Sequence, residues 1–193
     1  MYRVGIIALQ GDVSEHVLAM QEVLGSRGEA ITIRSPGRIA DCNGLVLPGG
    51  ESTTISRQLE RSGMTEELKV AAALDKPILA TCAGMVLVAN EIEGNSKVKP
   101  LGLINIKISR NVFGSQRASF EADLQVNGLD RPYHAVFIRA PAIVATGENV
   151  RVLAKINNYA VAACQKNVIA LAFHPELTDD KRFHEIFLEM LEG

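Results

Sequence analysis

The sequence is short of net charge and of long apolar runs. Its 193 residues carry a formal net charge of -2, and Lys and Arg form no cluster. The composition therefore gives no electrostatic reason to expect binding to nucleic acid or to an anionic membrane. The apolar runs are far shorter than the roughly 20 residues that a helix needs to cross a bilayer. Gln10, Gly11 and Asp12 also interrupt the first run where a cleavable signal would have to continue, so we expect neither a membrane span nor a signal peptide.

Cysteine is scarce as well. The chain has three cysteines, Cys42, Cys82 and Cys164. An odd number with wide spacing fits neither a disulfide framework nor a zinc site. We expect a reduced, cytoplasmic, soluble protein in which Cys42 and Cys164 are small apolar fillers. The chain is long enough for one domain, residues 1–193, and 47% of the residues are hydrophobic, which is enough to form a buried core.

Apolar runs alternate with helical patterns in the first half of the chain, as is typical of a parallel sheet covered by helices. The second half, from 102 to 172, is mostly strand-like, and a last helix capped by Asp179 or Asp180 follows. We predict an α/β fold of three layers: a mostly parallel, flavodoxin-like central sheet with flanking helices and an antiparallel extension. The predicted strands of the parallel part are 3–9, 30–34, 44–47, 78–81 and 168–172. The predicted helices are one that begins with a capping box at Asp12 and Glu15, two around 55–59 and 66–73, and one at 83–91.

Cys82 lies between a predicted strand and a predicted helix, with Ala83 and Gly84 directly after it. Functional residues in open α/β sheets gather at the carboxyl ends of the strands. A nucleophile on a sharp strand-to-helix turn needs small neighbours, and the N–H groups that begin the helix favour a thiolate and can receive an oxyanion. The pattern alone also fits plain packing of a small residue.

His174 and Glu176 follow another predicted strand. In an extended chain, residues two apart point to the same side, so the carboxylate could orient the imidazole while the imidazole meets the Cys82 thiol. By itself, His174 could be a structural histidine, and Glu176 could cap the last helix. Together with Cys82, the two residues favour a catalytic triad.

A glycine-rich turn, Leu47-Pro48-Gly49-Gly50-Glu51-Ser52-Thr53-Thr54, ends the third predicted strand. No Gly-Lys-Ser/Thr follows, so a phosphate loop is disfavoured. An ordinary loop with a Ser or Thr N-cap would also explain the pattern. Because this strand should neighbour the one before Cys82, the N–H of Gly50 could complete an oxyanion hole with that of Ala83.

These motifs together resemble the class I, or triad, glutamine amidotransferases, and within them the glutaminase subunits of pyridoxal 5'-phosphate synthase. The matching stretches run from end to end of the chain: Ala8-Leu9-Gln10-Gly11-Asp12, the glycine-rich turn, Thr81-Cys82-Ala83-Gly84, Arg110-Asn111-Val112-Phe113-Gly114, Ser119-Phe120-Glu121, Phe137-Ile138-Arg139-Ala140-Pro141 and His174-Pro175-Glu176-Leu177-Thr178.

The resemblance implies that the chain hydrolyses L-glutamine and passes ammonia to a synthase subunit in a hetero-oligomer, with no metal or cofactor of its own. Cys82 is then the nucleophile, His174 the general base and acid, and Glu176 its orienter. It also implies a set of residues that bind glutamine: Gly50, Glu51, Ser52, Arg110, Ile138 and Arg139. Arg110 and Arg139 could otherwise form surface salt bridges. The resemblance also implies that Gln10 lies at the surface through which the family contacts its synthase partner.

The sequence departs from the family pattern at two places. Ala80 stands where the family usually has Gly, and Ser115 replaces the Arg of a Phe-Gly-Arg-Gln motif, which removes a cation. The resemblance carries less weight in that second loop, including for contacts to the partner.

Three other interpretations remain open. The chain could be a glutaminase of another pathway, such as histidine or purine synthesis, but those usually carry Gln where this chain has Val86. It could be a cysteine peptidase or a small hydrolase on the same kind of sheet, but those usually place their His soon after the nucleophile. It could also be a binding module that has kept the fold without activity. The remaining histidines, His16, His134 and His184, lack metal-ligand spacing and are interpreted as surface or packing residues.

Overall fold

In the computed structural model, residues 1–94, 97–110, 112–114 and 119–193 are described. Within them, ten strands form one sheet in the order β2-β1-β3-β4-β12-β11-β9-β6-β5, with β10 paired to β11, and β7 and β8 form a separate hairpin. The strands are β1 (Tyr2–Ile7), β2 (Gly28–Ile33), β3 (Gly44–Leu47), β4 (Ile78–Thr81), β5 (Ala89–Ile92), β6 (Ile104–Ser109), β7 (Ser119–Leu124), β8 (Tyr133–Ile138), β9 (Ala142–Thr146), β10 (Arg151–Ile156), β11 (Tyr159–Gln165) and β12 (Val168–Leu171).

The sheet has a parallel part and an antiparallel part. The parallel part consists of β2, β1, β3, β4 and β12. In the antiparallel part, β11 pairs with β12 and with β10, and β9 pairs with β6. Every residue of β3, β4 and β12 is buried, as expected for parallel strands that are covered on both faces. The predicted mostly parallel sheet with an antiparallel extension is thus confirmed.

Helices cover the parallel part. Helix α1 packs against α5, and α2 packs against α3 and α4. They are α1 (Val13–Leu24), α2 (Ser52–Ser62), α3 (Met64–Ala73), α4 (Ala83–Val88) and α5 (Arg182–Glu192). Helices α1 and α5 bury one apolar side each, which includes Met20 and Leu24 in α1 and Phe183 and Phe187 in α5. In the described part of the chain, none of these helices has the length and apolar character needed to span a bilayer.

Two predicted helix caps differ from the structure. Asp12 occupies the N-cap position of α1, but its side chain makes no capping bond, so the predicted capping box with Glu15 does not form. Its carboxylate faces the imidazole of His174 instead, with Oδ2 3.3 Å from Nδ1. The N-cap of α5 is Lys181 rather than Asp179 or Asp180, although Asp180 Oδ1 accepts from the N–H of Arg182, the first residue of the helix, at 3.2 Å.

The predicted helix at 83–91 is also too long. Helix α4 ends at Val88, and Ala89 begins β5 with φ -56° and ψ 159°. Backbone N–H groups of Leu101 and Leu103 donate to the carbonyls of Leu87 and Val88 at 2.7 and 2.8 Å. A distant segment therefore takes up the carbonyl groups that a longer helix would have used.

Candidate active site

Cys82 sits in a strained corner between β4 and α4. Its backbone has φ 48° and ψ -102°, a region that a non-glycine residue occupies at a cost of about 1–3 kcal/mol. The Cys82 N–H donates to the carbonyl of Leu171 at 2.8 Å, which ties the corner to β12. The thiol donates to the carbonyl of Ile138 at 3.7 Å. The backbone makes a sharp strand-to-helix turn of the kind that can present a nucleophile.

The small residues around the corner have identifiable roles. A Cβ atom on Gly84 would lie 2.1 Å from the carbonyl oxygen of Leu47, so only glycine lets α4 pack this closely on β3. Ala80 lies inside β4, fully buried, and pairs with Leu47 on one side and Ala170 on the other. The sheet therefore accommodates the methyl group that replaces the family's glycine.

His174 and Glu176 form a buried pair after β12. His174 Nδ1 lies 2.7 Å from Glu176 Oε1, and the two side chains are 3% and 0% exposed. Glu176 belongs to a short 3-10 turn, Pro175–Leu177, rather than to the extended segment that the sequence predicted. The His174 N–H donates to the carbonyl of Val136 on β8 at 2.9 Å, which fixes the backbone at this position.

Burial and neighbouring groups act on this pair in opposite directions. Burial lowers the pKa of His174, but Cys82 and Glu176 outweigh it and raise that pKa to about 10. Burial raises the pKa of Glu176, and His174 opposes the rise. The imidazole is thus held in a site that favours its charged form.

A cavity of about 390 Å³ opens at the carboxyl ends of β1, β3, β4 and β12. Of the predicted site residues, Glu176 alone does not line it and lies behind the imidazole. Those that line it are Gly50, Glu51, Ser52, Cys82, Ala83, Arg110, Ile138, Arg139 and His174. Four further residues line it without a predicted role, namely Gly11, Asp12, Val86 and Pro141. Asp12 follows β1 at the same sheet edge, and this position was the signal that could have identified it.

The glycine-rich turn packs directly against the imidazole. A Cβ atom on Gly49 would lie 2.6 Å from His174 Cε1, so a side chain here would displace the ring. Gly50 has φ 139°, and the N–H of the next residue, Glu51, donates to Gln10 Oε1 at 3.2 Å.

Glu51, rather than a Ser or Thr, is the N-cap of α2. Its carboxylate accepts from the N–H groups of Thr53 and Thr54 at 3.0 and 2.7 Å, and from the Thr54 hydroxyl at 2.7 Å. Burial opposes ionisation, but these hydrogen bonds outweigh it and lower the pKa of Glu51 to about 2. The cavity therefore has a fixed negative charge at its rim.

Arg110 and Arg139 are exposed at the cavity rim, and Arg139 has φ 45°. Neither guanidinium forms an ion pair with a residue in the described ranges. Within those ranges, the alternative role of these two arginines in surface salt bridges is therefore not observed. Asn111, which belongs to a matching stretch, and Ser115, one of the two departures from the family pattern, lie outside the described residues.

In the part of the chain that the structure describes, one group of potential metal ligands lies together, namely Asp12, His174 and Glu176, with ligand atoms within 4.8 Å of one another. His174 Nδ1 bonds to Glu176 Oε1 at 2.7 Å, so the His–carboxylate pair explains this grouping.

The histidines outside the triad differ from one another. His134 is exposed, whereas His16 and His184 are fully buried, which excludes the surface interpretation for both. His184 fits the packing interpretation. His16 has polar contacts beneath the triad that its sequence neighbourhood gave no reason to expect.

Comparison with known proteins gives a consistent result. Residues 6–193 match the model of the SNO glutamine amidotransferase family. A pyridoxal 5'-phosphate synthase subunit PdxT of Methanothrix thermoacetophila is 58% identical over 98% of this chain and 100% of its own length. The protein of the same name from Methanocella arvoryzae is 50% identical over 99% of this chain and 98% of its own.

Solved structures agree with this match. A crystal structure of a glutamine amidotransferase superimposes with a TM-score of 0.89 at 40% identity, over 98% of this chain and 99% of that one. The PurLQS structure from Thermotoga maritima matches with a TM-score of 0.71 over 99% of this chain and 98% of its own, but at 17% identity it supports the fold alone.

Proposed function

The chain belongs to the SNO glutamine amidotransferase family, and from this premise we propose how its residues carry out the reaction. It is a glutaminase that hydrolyses L-glutamine to L-glutamate and ammonia, and the ammonia is supplied to the synthase subunit of pyridoxal 5'-phosphate synthase. The two relatives, named as subunits of that synthase and matched over nearly their whole length, support the assignment.

One observation carries the catalytic roles: Cys82 and His174 line the same cavity, and the carboxylate of Glu176 bonds to the far side of the imidazole at 2.7 Å. The carboxylate holds the proton on Nδ1 and leaves Nε2 for the sulfur. The Cys82 thiolate attacks the carboxamide carbon to form a C–S bond, and His174 protonates the departing ammonia. His174 then activates water, which cleaves the thioester and releases glutamate.

Two backbone N–H groups, of Gly50 and Ala83, are proposed to form the oxyanion hole. Both residues line the cavity beside Cys82, and Ala83 is the first residue of α4, so its N–H has no partner within the helix. Losing one such donor typically lowers kcat by about 10²–10³.

Glutamine binding is proposed for the charged and polar groups at the rim. A guanidinium can grip a carboxylate with two parallel hydrogen bonds, so Arg110 and Arg139 suit the α-carboxylate of the substrate. Glu51, which stays ionised, suits the α-ammonium group. Ser52 and Ile138 complete the lining with a hydroxyl and a backbone carbonyl.

The whole of residues 1–193 is proposed to act as one glutaminase domain, because one apolar core extends from Val4 to Leu188. Free ammonia at neutral pH is mostly ammonium, a poor nucleophile, so the product must be handed directly to the synthase in a hetero-oligomer. The three cysteines are free, which suits a reducing, cytoplasmic setting in which the Cys82 thiol stays active.

The first test is a glutamate-release assay on wild type and Cys82→Ala with the synthase subunit added. We expect turnover in the wild type and none in the variant, with equal melting temperatures as the control for folding. Turnover that survives the loss of the sulfur would contradict the assigned nucleophile.

A second assay addresses the orientation of the Gly49–Gly50 peptide. If the synthase is needed to set this peptide, the isolated subunit is nearly silent and the synthase raises kcat by about 10²–10³, the value of one oxyanion donor. Equal rates with and without the synthase would remove this idea while leaving the triad assignment intact.

A further inference from the structure

Beneath the triad, a second histidine approaches the carboxylate of Glu176 from the side opposite His174. His16 Nε2, from the first turns of α1, lies 3.1 Å from Glu176 Oε2 and 3.1 Å from the hydroxyl oxygen of Thr81. His16, Thr81 and the side chain of Glu176 are all fully buried. His16 is absent from the lining of the cavity, so it has no access to substrate.

The second oxygen of this carboxylate needs a donor. A buried carboxylate without hydrogen bonds is strongly destabilised in its charged form. His174 occupies Oε1, and among the described residues no hydrogen bond of good geometry reaches Oε2. His16 Nε2 is the nitrogen that stands next to it.

The protonation state of His16 follows from its surroundings. Burial, with the neighbouring His184 and His174, lowers the pKa of His16 well below 6.5, so the ring is neutral and carries one proton. Nδ1 has no hydrogen-bond partner among the described residues. The proton therefore belongs on Nε2, which bonds to Thr81 Oγ1 at 3.1 Å and lies 3.1 Å from Glu176 Oε2.

We propose that His16 is a positioning residue for the glutaminase reaction: its Nε2–H holds Glu176 in the orientation that serves His174. The inference rests on the proposed function. Thr81, which bonds to the same Nε2, is the residue before Cys82, so one buried ring lies between the orienting carboxylate and the end of the strand that carries the nucleophile.

The orientation matters because two carboxylates compete for the same nitrogen. Asp12 Oδ2 lies 3.3 Å from His174 Nδ1, against 2.7 Å for Glu176 Oε1. Asp12 is partly exposed and better hydrated, so it is the weaker orienter once Glu176 turns away. Holding Oε2 fixes which of the two carboxylates the imidazole bonds to.

Other ionisable groups also act on this cluster. They are His174 and Asp12 at the sheet edge, Cys82 at the corner, Tyr133 on β8, and His184 with Lys181 near the start of α5. None of them supplies a donor to Glu176 Oε2 within the described ranges, so the effect of removing the His16 N–H is separable from theirs.

The test compares His16→Met with His16→Gln in the complex with the synthase, since the two side chains have nearly the same shape and Gln alone keeps an N–H. We expect kcat to fall about 10- to 100-fold in the Met variant with KM little changed, the usual value of a hydrogen bond to a charged group. The acid limb of its pH profile should move up by about one unit, because losing a donor favours neutral Glu176. The Gln variant should stay within about fivefold of wild type.

His184→Met is the matched control, since His184 is equally buried, lies 5.8 Å from the His16 ring and has no polar partner among the described residues. We expect it to leave kcat and the pH profile unchanged. Equal losses for the Met variants at 16 and 184, or an unshifted acid limb in His16→Met, would overturn the proposal. If His16→Met does not fold, the His16→Gln variant decides: a fall in kcat of more than about 30-fold would overturn the proposal.

A second readout separates this inference from the proposed function. The pH dependence of Cys82 alkylation by iodoacetamide is measured on the isolated chain, with Cys82→Ala as the background for other thiols. We expect its midpoint to move to higher pH in His16→Met and to stay in place in His16→Gln and His184→Met. If the complex with the synthase released no glutamate, the proposed function would be wrong. The midpoint of Cys82 alkylation would still decide whether His16 positions Glu176.

Discussion

Strand β12 consists of four apolar residues with no exposed surface, whereas the segment just after it carries an imidazole and a carboxylate that are almost as deeply buried. For the strand, burial is itself the source of stability. For His174 and Glu176, burial is a cost that hydrogen-bond partners must offset. Two neighbouring regions with similar exposure therefore follow opposite energetics, and substitutions should affect them differently.

The largest contrast is expected from Glu176→Gln. The change keeps the shape but leaves His174 without its anionic partner, so the imidazolium is destabilised and the wrong ring tautomer is favoured. We expect kcat to fall by about 10³–10⁴ at neutral pH, with a change in unfolding free energy of no more than about 2 kcal/mol. Steady-state glutaminase kinetics and urea unfolding measure the two effects. A tenfold loss or less would show that the carboxylate is not the orienter.

Ile169→Ala should have the reverse profile. Ile169 has no exposed surface at the centre of β12, so the substitution leaves a cavity and lowers the unfolding free energy by about 2–5 kcal/mol. The kcat of the folded fraction should stay within about threefold of wild type. If kcat instead collapses while stability holds, the strand and the segment after it are not energetically distinct.

The buried His184 makes part of the stability depend on pH. Burial, helped by Lys181, lowers the pKa of His184 to about 4, whereas the unfolded chain titrates near 6.5. Between those values the unfolded state binds a proton that the folded state refuses, so this contribution is complete above about pH 6.5. It is lost as the pH falls toward about 4, by roughly 3 kcal/mol in total.

Replacing His184 by Met should therefore flatten the acid side of the stability curve. Unfolding free energies from urea titrations at pH 7 and pH 5 measure this directly. Wild type should lose about 2 kcal/mol between the two pH values on account of this residue, and His184→Met should lose correspondingly less. Parallel curves for the two proteins would contradict the assignment of this acid sensitivity to His184.

The smallest effect isolates the strain at Cys82. Both Gly and Ala at position 82 remove the thiol, but only Gly adopts φ 48° without backbone strain. We expect Cys82→Gly to exceed Cys82→Ala in unfolding free energy by about 1 kcal/mol, with both inactive. At position 170, inside β12, the native residue is already Ala, and Ala170→Gly should instead be less stable than wild type. If Ala is also the more stable at 82, the corner stores no strain.

Prediction from sequence succeeded where local signals and long-range packing agree. Strands β3 and β4 begin and end where predicted, because each is a short apolar run with turn residues at its ends, which parallel strands covered on both faces require. Cys82, Ala83, Gly50 and His174 could likewise be chosen from the carboxyl ends of predicted strands, whereas the glutamine-binding residues came from the family resemblance. All the candidate site residues but Glu176 line one cavity.

The misses have non-local causes. Helix α4 stops early because Leu101 and Leu103, which are distant in sequence, bond to its last carbonyls. Asp12 leaves its helix uncapped because His174 offers its side chain a partner across the sheet edge. His16 occupies a helical position with no motif around it, so its contact with Glu176 depends on a register between α1 and the segment after β12 that no local pattern encodes.

Strand β8 contacts both Cys82 and His174. The carbonyl of Val136 accepts from the backbone of His174, and the carbonyl of Ile138, two residues along the same edge, accepts from the thiol of Cys82. The Cys82 thiol and the His174 backbone thus bond to neighbouring carbonyl groups of the same strand. A displacement of this small hairpin would therefore alter a hydrogen bond of Cys82 and a hydrogen bond of His174 at once.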